Sequence, residues 1–224
     1  MSDADRRCWD ERYSSPAFAL PAPPVWLSEF EHELPQEGRA LDVAAGGGRA
    51  AIWLAQRGYS VTAVDISSSG LKLAKKAARA AGVEIDTAAA DLEEERLPAG
   101  PFAVICCFRY LQRNLFPEMR SRLEPGGLLL CEIATRRNLE RNERPAAHHL
   151  LETNELRDLC APLEVVSYRE DWYDGQFLAR AVARAPEKDR AAPRGLIADT
   201  DATLGTTAMR GGGTRHRRRF GHNP

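Results

Sequence analysis

The sequence predicts an α/β protein: a doubly wound, mostly parallel, seven-stranded sheet with helices on both faces and a C-terminal antiparallel hairpin. Three observations predict it. Short apolar runs alternate with helical segments, the pattern of parallel strands joined by crossover helices. A glycine turn, Gly46-Gly47-Gly48, follows the first apolar run and opens a helix. Near the end, two strand-like runs flank Asp174-Gly175, a hairpin turn.

The elements follow in order. Residues 1–24 are polar and then Pro-rich, which reads as a lead-in arm. Val25, Trp26, Phe30 and Leu34 recur at helical spacing, so a short helix is expected over 25–34, ended by Pro35 and Gly38. The first strand is expected at 39–44, and a helix near Arg49 with Ile52, Trp53 and Leu54 as its apolar face and Gly58 as its cap. The second strand is expected at 60–65. Ser67-Ser68-Ser69 offers N-caps for a helix with Leu71, Ala74, Ala78 and Ala81 on one face, closed by Gly82. A third strand is expected at 84–89, ending near Asp91, followed by an acidic turn to Gly100. Phe102 to Cys107 is continuously apolar, as in a strand buried on both faces. A helix over 116–123, a turn at Glu124-Pro125-Gly126-Gly127 and another apolar strand over 128–133 come next. A helix at 153–160 and strands at 163–170 and 176–185, joined through Asp171-Trp172-Tyr173-Asp174-Gly175, finish the pattern.

Composition narrows the class. The chain has 224 residues, 43% hydrophobic and 28% charged, enough for one domain with a sizeable core. A net charge of −1 argues against a nucleic-acid binder, and no apolar run is long enough to span a bilayer. The N-terminal residues are polar, with no apolar signal segment, so a cytoplasmic location is expected. Cys8, Cys106, Cys107, Cys131 and Cys160 lack C-x-x-C spacing and read as reduced, mostly buried thiols, with no metal site expected. From residue 186 onward periodicity is lost. Eight Lys/Arg against four Asp/Glu make that stretch +4, and it reads as a disordered basic tail.

The glycine turn and the acid ending the second strand, Asp65, form half of a nucleotide site. Glycines let backbone N–H groups approach a ligand, and a carboxylate chelates ribose hydroxyls. Gly46-Gly47-Gly48-Arg49-Ala50-Ala51 fits the dinucleotide pattern G-x-G-x-x-(G/A). Asp42, ahead of the glycines, argues against it, because a carboxylate there repels a pyrophosphate and suits an ammonium group. Asp91, just past the third strand, is placed to meet an adenine amino group.

These residues together resemble the class I S-adenosylmethionine-dependent methyltransferases, whose fold is Rossmann-like. Asp42-Val43-Ala44-Ala45-Gly46-Gly47-Gly48 resembles the D-x-G-x-G-x-G loop, with Ala44 in place of the first glycine. The resemblance makes Asp65 the ribose acid, Ile66 the residue packing on adenine, and Asp91-Leu92 the adenine-contacting pair. Leu123-Glu124-Pro125-Gly126-Gly127 resembles the L-x-P-G-G turn. Trp9-Asp10-Glu11-Arg12-Tyr13 resembles the W-x-x-R-Y arm of the small tellurite-resistance and thiopurine type methyltransferases. That likeness implies an arm over the cofactor site at 1–24 and a methyltransferase domain at 25–185. It makes Trp9 a lid and Arg12 a partner for the cofactor carboxylate. The other reading of Trp9 and Tyr13 is that they only anchor the arm.

The expected cofactor is therefore S-adenosylmethionine, held by Trp9, Arg12, Asp42, Ala44, Gly46, Gly48, Asp65, Ile66, Asp91, Leu92 and Phe108. The expected reaction is methyl transfer to a small-molecule nucleophile, by a monomer or weak homodimer without a nucleic-acid or membrane partner. No general base is evident. Cys107-Phe108-Arg109-Tyr110 stands where methyltransferases acting on bases or amides carry (N/D)-P-P-(Y/F), so such substrates are disfavoured. Tyr110 and Arg109 are the weak catalytic candidates, one facing the sulfonium and one steering an anion. His148-His149 falls in a segment that often covers the substrate in this family. The alternatives are a nicotinamide-dependent oxidoreductase, which lacks an evident Tyr-x-x-x-Lys here, and a non-catalytic cofactor-binding regulatory protein.

Overall fold

The computed structural model describes residues 3–187, so the tail expected from residue 186 lies almost wholly outside the described residues. Seven strands form one sheet in the order β3-β2-β1-β4-β5-β7-β6. They are β1 (Arg39–Val43), β2 (Ser60–Asp65), β3 (Asp86–Ala89), β4 (Phe102–Phe108), β5 (Leu123–Ala134), β6 (Glu164–Tyr173) and β7 (Gln176–Arg184). All neighbours through β5 are parallel, and β7 runs antiparallel to both β5 and β6. The helices are α1 (Asp3–Ser14), α2 (Arg49–Ala55), α3 (Ser68–Ala80), α4 (Phe116–Ser121) and α5 (Glu155–Cys160).

β4 shows why an unbroken apolar run belongs at the centre of such a sheet. All seven of its residues are buried. Ala103, Val104, Cys106 and Phe108 enter one core, with Trp26, Trp53 and Leu54, and with Leu71 and Ala74 of α3. Phe102, Ile105 and Cys107 enter the other, with Phe116 and Met119 of α4 and Leu156 of α5. Each face is thus covered by helices, which buries both sides of a parallel sheet. The β3–β4 connection carries no helix, and its Leu92 and Leu97 plug the second core instead.

Several elements depart from expectation. The lead-in arm contains the helix α1, which buries no residue of its own and so leaves no apolar stripe to read. The 25–34 segment is a 3-10 helix, Val25–Glu33, that buries Trp26 and Leu27 and leaves Val25 exposed. Glu124-Pro125-Gly126-Gly127 is an excursion inside β5, opposite the register shift between Phe102 and Val104. β6 continues to Tyr173, so the hairpin turn is Asp174-Gly175 alone, both with positive φ, as a two-residue hairpin loop requires. The 128–133 run is not apolar throughout: Glu132 sits in it and is buried.

Candidate active site

The strand order reverses direction between β1 and β4, and ligands of open α/β sheets bind at that point, beyond the carboxyl ends of the strands. An open cleft of about 210 Å³ lies there. Its floor is the loop between β1 and α2. Ala44, Gly46 and Gly48 all have positive φ, at 55°, 53° and 79°. Ala44 adopts what glycine adopts freely, at a cost of about 1–2 kcal/mol. The backbone therefore follows the glycine-loop path although the first glycine is absent. Gly48 closes the loop by donating its N–H to the Ala45 carbonyl at 2.8 Å.

Asp65 fixes the other side of that loop. Its carboxylate accepts the Gly46 N–H at 2.7 Å and the Ser67 N–H at 2.8 Å. It lines the cleft with Ile66. Burial raises its pKa, and the two backbone N–H groups oppose that rise. Each oxygen retains acceptor capacity beyond its one backbone bond, which suits a diol.

Asp42 is turned away from the cleft. It is 2% exposed and accepts the Ala51 N–H at 3.0 Å, satisfying one of the orphan donors in the first turn of α2. Burial pushes its pKa from 3.8 up to about 7, the Ala51 N–H only partly opposing it. Below that value the folded chain holds a proton that the unfolded chain has already released, so stability falls as pH rises from about 4 to about 7. Asp42→Asn should remove this slope. In urea titrations the variant should gain on the native chain by roughly 1 kcal/mol per pH unit across that window. A constant difference between the two would refute the assignment.

The arm reaches the cleft through α1. Asp10 accepts the Ser67 hydroxyl at 2.6 Å and the Ser69 N–H at 2.9 Å, which pins α1 to the start of α3 and lowers the Asp10 pKa. Tyr13 packs against Gly46 and Gly70, stacked on Trp9 and edge-on to Phe18. A Cβ on Gly46 would stand 2.1 Å from the Tyr13 hydroxyl, so a larger residue would displace the Tyr13 ring, and the positive φ also favours glycine. Burial pushes the Tyr13 phenol up to about 12. Trp9 and Arg12 line the cleft, with the guanidinium 5.3 Å from the indole centroid.

Phe108, Arg109 and Tyr110 line the opposite wall. Phe108 meets Trp26 edge-on at 5.8 Å. The Tyr110 hydroxyl donates to Gln112, whose amide donates to the Leu92 carbonyl at 2.8 Å. Behind Arg109 lies Glu132, whose side chain is 2% exposed. Its Oε1 accepts from Arg109 Nε at 2.8 Å and from Arg49 Nη2 at 3.2 Å, and its Oε2 accepts from Arg180 Nε at 2.9 Å. Burial alone would raise the Glu132 pKa, but the three guanidiniums, Arg109 foremost, lower it overall.

Not every expected site residue faces the cleft. Asp91 and Leu92 do not line it. Asp91 accepts the Glu93 N–H at 3.0 Å, as an Asx-turn does, and Leu92 is buried in the core. His148 and His149 are exposed, with ring centroids 3.9 Å apart, and are also outside the lining. Among the described residues no His/Cys/Asp/Glu group is arranged to hold a metal ion. Cys8 is exposed and the other four thiols are free and buried. Sequence reasoning missed Asp10 as the pin of the arm and Glu132 with Arg49 and Arg180; Tyr13, an expected anchor of the arm, sits on the loop at Gly46. The available signal for Glu132 was a lone charge within a strand buried on both faces.

Residues 40–127 match the family model described as a methyltransferase domain. The matched stretch runs from β1 through the glycine loop to the excursion inside β5, and the sheet is completed by the reversed strand β7. Among particular proteins, the chain is 32% identical over 138 residues to a ubiquinone biosynthesis O-methyltransferase of Bordetella avium, covering 58% of this chain and 57% of that one. It is 32% identical over 117 residues to the putative methyltransferase YqeM of Bacillus subtilis, covering 48% and 47%. The chain thus spans about half the length of the curated relatives it matches. In fold it is similar to TehB from Haemophilus influenzae, with TM-score 0.60 and 17% identity, covering 80% of this chain and 66% of that one. It is also similar to the N-methyltransferase NodS from Bradyrhizobium japonicum, solved with S-adenosyl-L-homocysteine, with TM-score 0.62 and 17% identity, covering 83% and 100%. No helix among the described residues is long and apolar enough to cross a membrane.

Proposed function

We propose that this chain transfers a methyl group from S-adenosylmethionine to a small-molecule nucleophile. The observation that carries the reading is Asp65: a buried carboxylate ending β2, bonded to the glycine-loop amide of Gly46 and still facing the cleft. A carboxylate so placed takes the two ribose hydroxyls. Ile66 packs on the adenine, and Phe108 lies across the cleft. The Ala44 carbonyl borders the methionine portion, Gly46 and Gly48, just outside the cleft lining, hold the loop in shape behind it, Arg12 pairs with its carboxylate, and Trp9 covers it. Asp42 acts through the loop and α2, which it holds together. Asp91 and Leu92 stay outside the cleft lining and act on its adenine end only through Ala90, whose N–H is bonded to the Asp65 carbonyl at 3.1 Å.

S-adenosylmethionine, when bound, supplies a methyl group already activated on a sulfonium. The protein's task is then to align the acceptor and exclude water. The arm excludes water by lying over the loop, and Phe108 and Tyr110 offer ring faces to positive charge. Tyr110 does not serve as a base, because burial raises its pKa and its hydroxyl is engaged by Gln112. Arg109 contributes charge rather than proton transfer.

We assign residues 1–24 to the arm and 25–185 to the methyltransferase domain, acting as a monomer or weak homodimer. The free buried thiols support a cytoplasmic location. Calorimetry decides between cofactors: S-adenosylhomocysteine should bind with a micromolar or lower Kd and NAD should not. NAD binding without S-adenosylhomocysteine binding overturns the proposal. Turnover then follows from release of S-adenosylhomocysteine across a panel of thiols, phenols and small amines.

A further inference from the structure

We propose that the acceptor carries an anionic group, a carboxylate by chemistry, seated on Arg109 and Arg49, with Glu132 holding both guanidiniums in place. This rests on the methyltransferase reading of the cleft and names the substrate class it takes.

The cleft carries an excess of positive charge. Three cations, Arg12, Arg49 and Arg109, line the cleft against one acid, Asp65. Asp65 is committed to the loop and, under the proposed function, to a ribose. Arg12 is committed to the cofactor carboxylate. What remains is the Glu132 cluster, three guanidiniums around a single buried carboxylate. One negative charge among three positive ones leaves the cluster in need of a further anion, because partly desolvated charge is costly unless paired.

Geometry assigns the cluster's members different tasks. Arg180 lies outside the cleft, 3.5 Å from the Tyr173 ring centroid and 5.3 Å from that of Trp26, and holds Glu132 from behind. Arg49 and Arg109 lie on the cleft side. Arg109 binds Glu132 through Nε, and its own backbone N–H donates to the Glu132 carbonyl at 2.7 Å. Among the described residues its two Nη groups meet no hydrogen-bond partner, so the end of its fork is available for a bidentate contact. Its φ of 61° is a conformation that non-glycine residues rarely adopt. Two bonds to one residue maintain that conformation and aim the side chain. Phe108 and Tyr110, on either side in sequence, provide apolar surface for the body of the acceptor.

The test uses the whole chain saturated with S-adenosylhomocysteine, so that the cofactor carboxylate is already accounted for. Benzoate and benzamide, equal in shape and different in charge, are titrated calorimetrically. Benzoate should bind roughly ten-fold or more tighter than benzamide, and should weaken as salt rises. Arg109→Gln should abolish that preference while S-adenosylhomocysteine affinity is kept, and Arg109→Lys should restore part of it. Equal binding of the two probes, no binding of either, or a benzoate affinity indifferent to Arg109→Gln would overturn the inference. Failure to bind S-adenosylhomocysteine overturns the methyltransferase reading instead. The same benzoate and benzamide comparison on the cofactor-free chain then judges the anion site.

Discussion

Glu132→Gln should lower the stability of the domain by about 3 kcal/mol at neutral pH, a fall in Tm of roughly 6–12 °C for a domain of this size. The substitution keeps the side chain's size and removes its charge. Three guanidiniums then face one another around an amide that accepts through one oxygen only. The estimate sits at the lower end for a broken buried pair because Arg49 and Arg109 are 22% and 35% exposed and relax partly into solvent. The pH dependence has a definite sign. The folded pKa of Glu132 lies below its ordinary value of 4.5, so its contribution is complete above that value and is lost as pH falls through the folded pKa. The gap between the native chain and Glu132→Gln should therefore be full at neutral pH and close on acidification. A gap that is absent at neutral pH would show that the arginines are not held by this carboxylate.

Asp65→Ala should weaken S-adenosylhomocysteine binding by about 2–3 kcal/mol, roughly 30- to 150-fold in Kd, read by calorimetry. Two losses combine. One is the pair of ribose contacts. The other is internal: the Gly46 and Ser67 N–H groups lose their acceptor, and a buried donor without a partner costs about 1–3 kcal/mol. Asp65→Asn separates them. One amide oxygen still takes a backbone N–H, so the stability loss should be smaller than in Asp65→Ala while the ribose chelate remains impaired. An unaltered Kd in both variants would remove Asp65 from the cofactor site.

What could be read from the sequence was whatever is encoded locally. A glycine turn, an acid at a strand end, a serine N-cap and an Asp-Gly hairpin each fit within a few residues. Ser67 does cap α3, accepting the Gly70 N–H at 3.0 Å. What escaped was encoded over distance. α1 has no apolar stripe, and it is held by Asp10 reaching Ser67, 57 residues away. Glu132 draws its partners from 83, 23 and 48 residues away, on α2, after β4 and on β7. A lone acid in an apolar strand announces a partner but not which one. Asp42 is a different case. Its place at the end of β1 could be read from the sequence, but its bond to the Ala51 N–H of α2 could not.

The placement of β7 has a consequence for the order in which the molecule is made. This strand lies between β5 and β6, although β6 precedes it in the chain. During synthesis β6 has no partner on the growing sheet until β7 has emerged and folded back between them. Arg180 arrives on that same strand, so the Glu132 cluster is completed only by the step that closes the sheet. Until then β5 is an open edge carrying a buried-type acid, a charge that discourages another chain from pairing there before its own strand arrives.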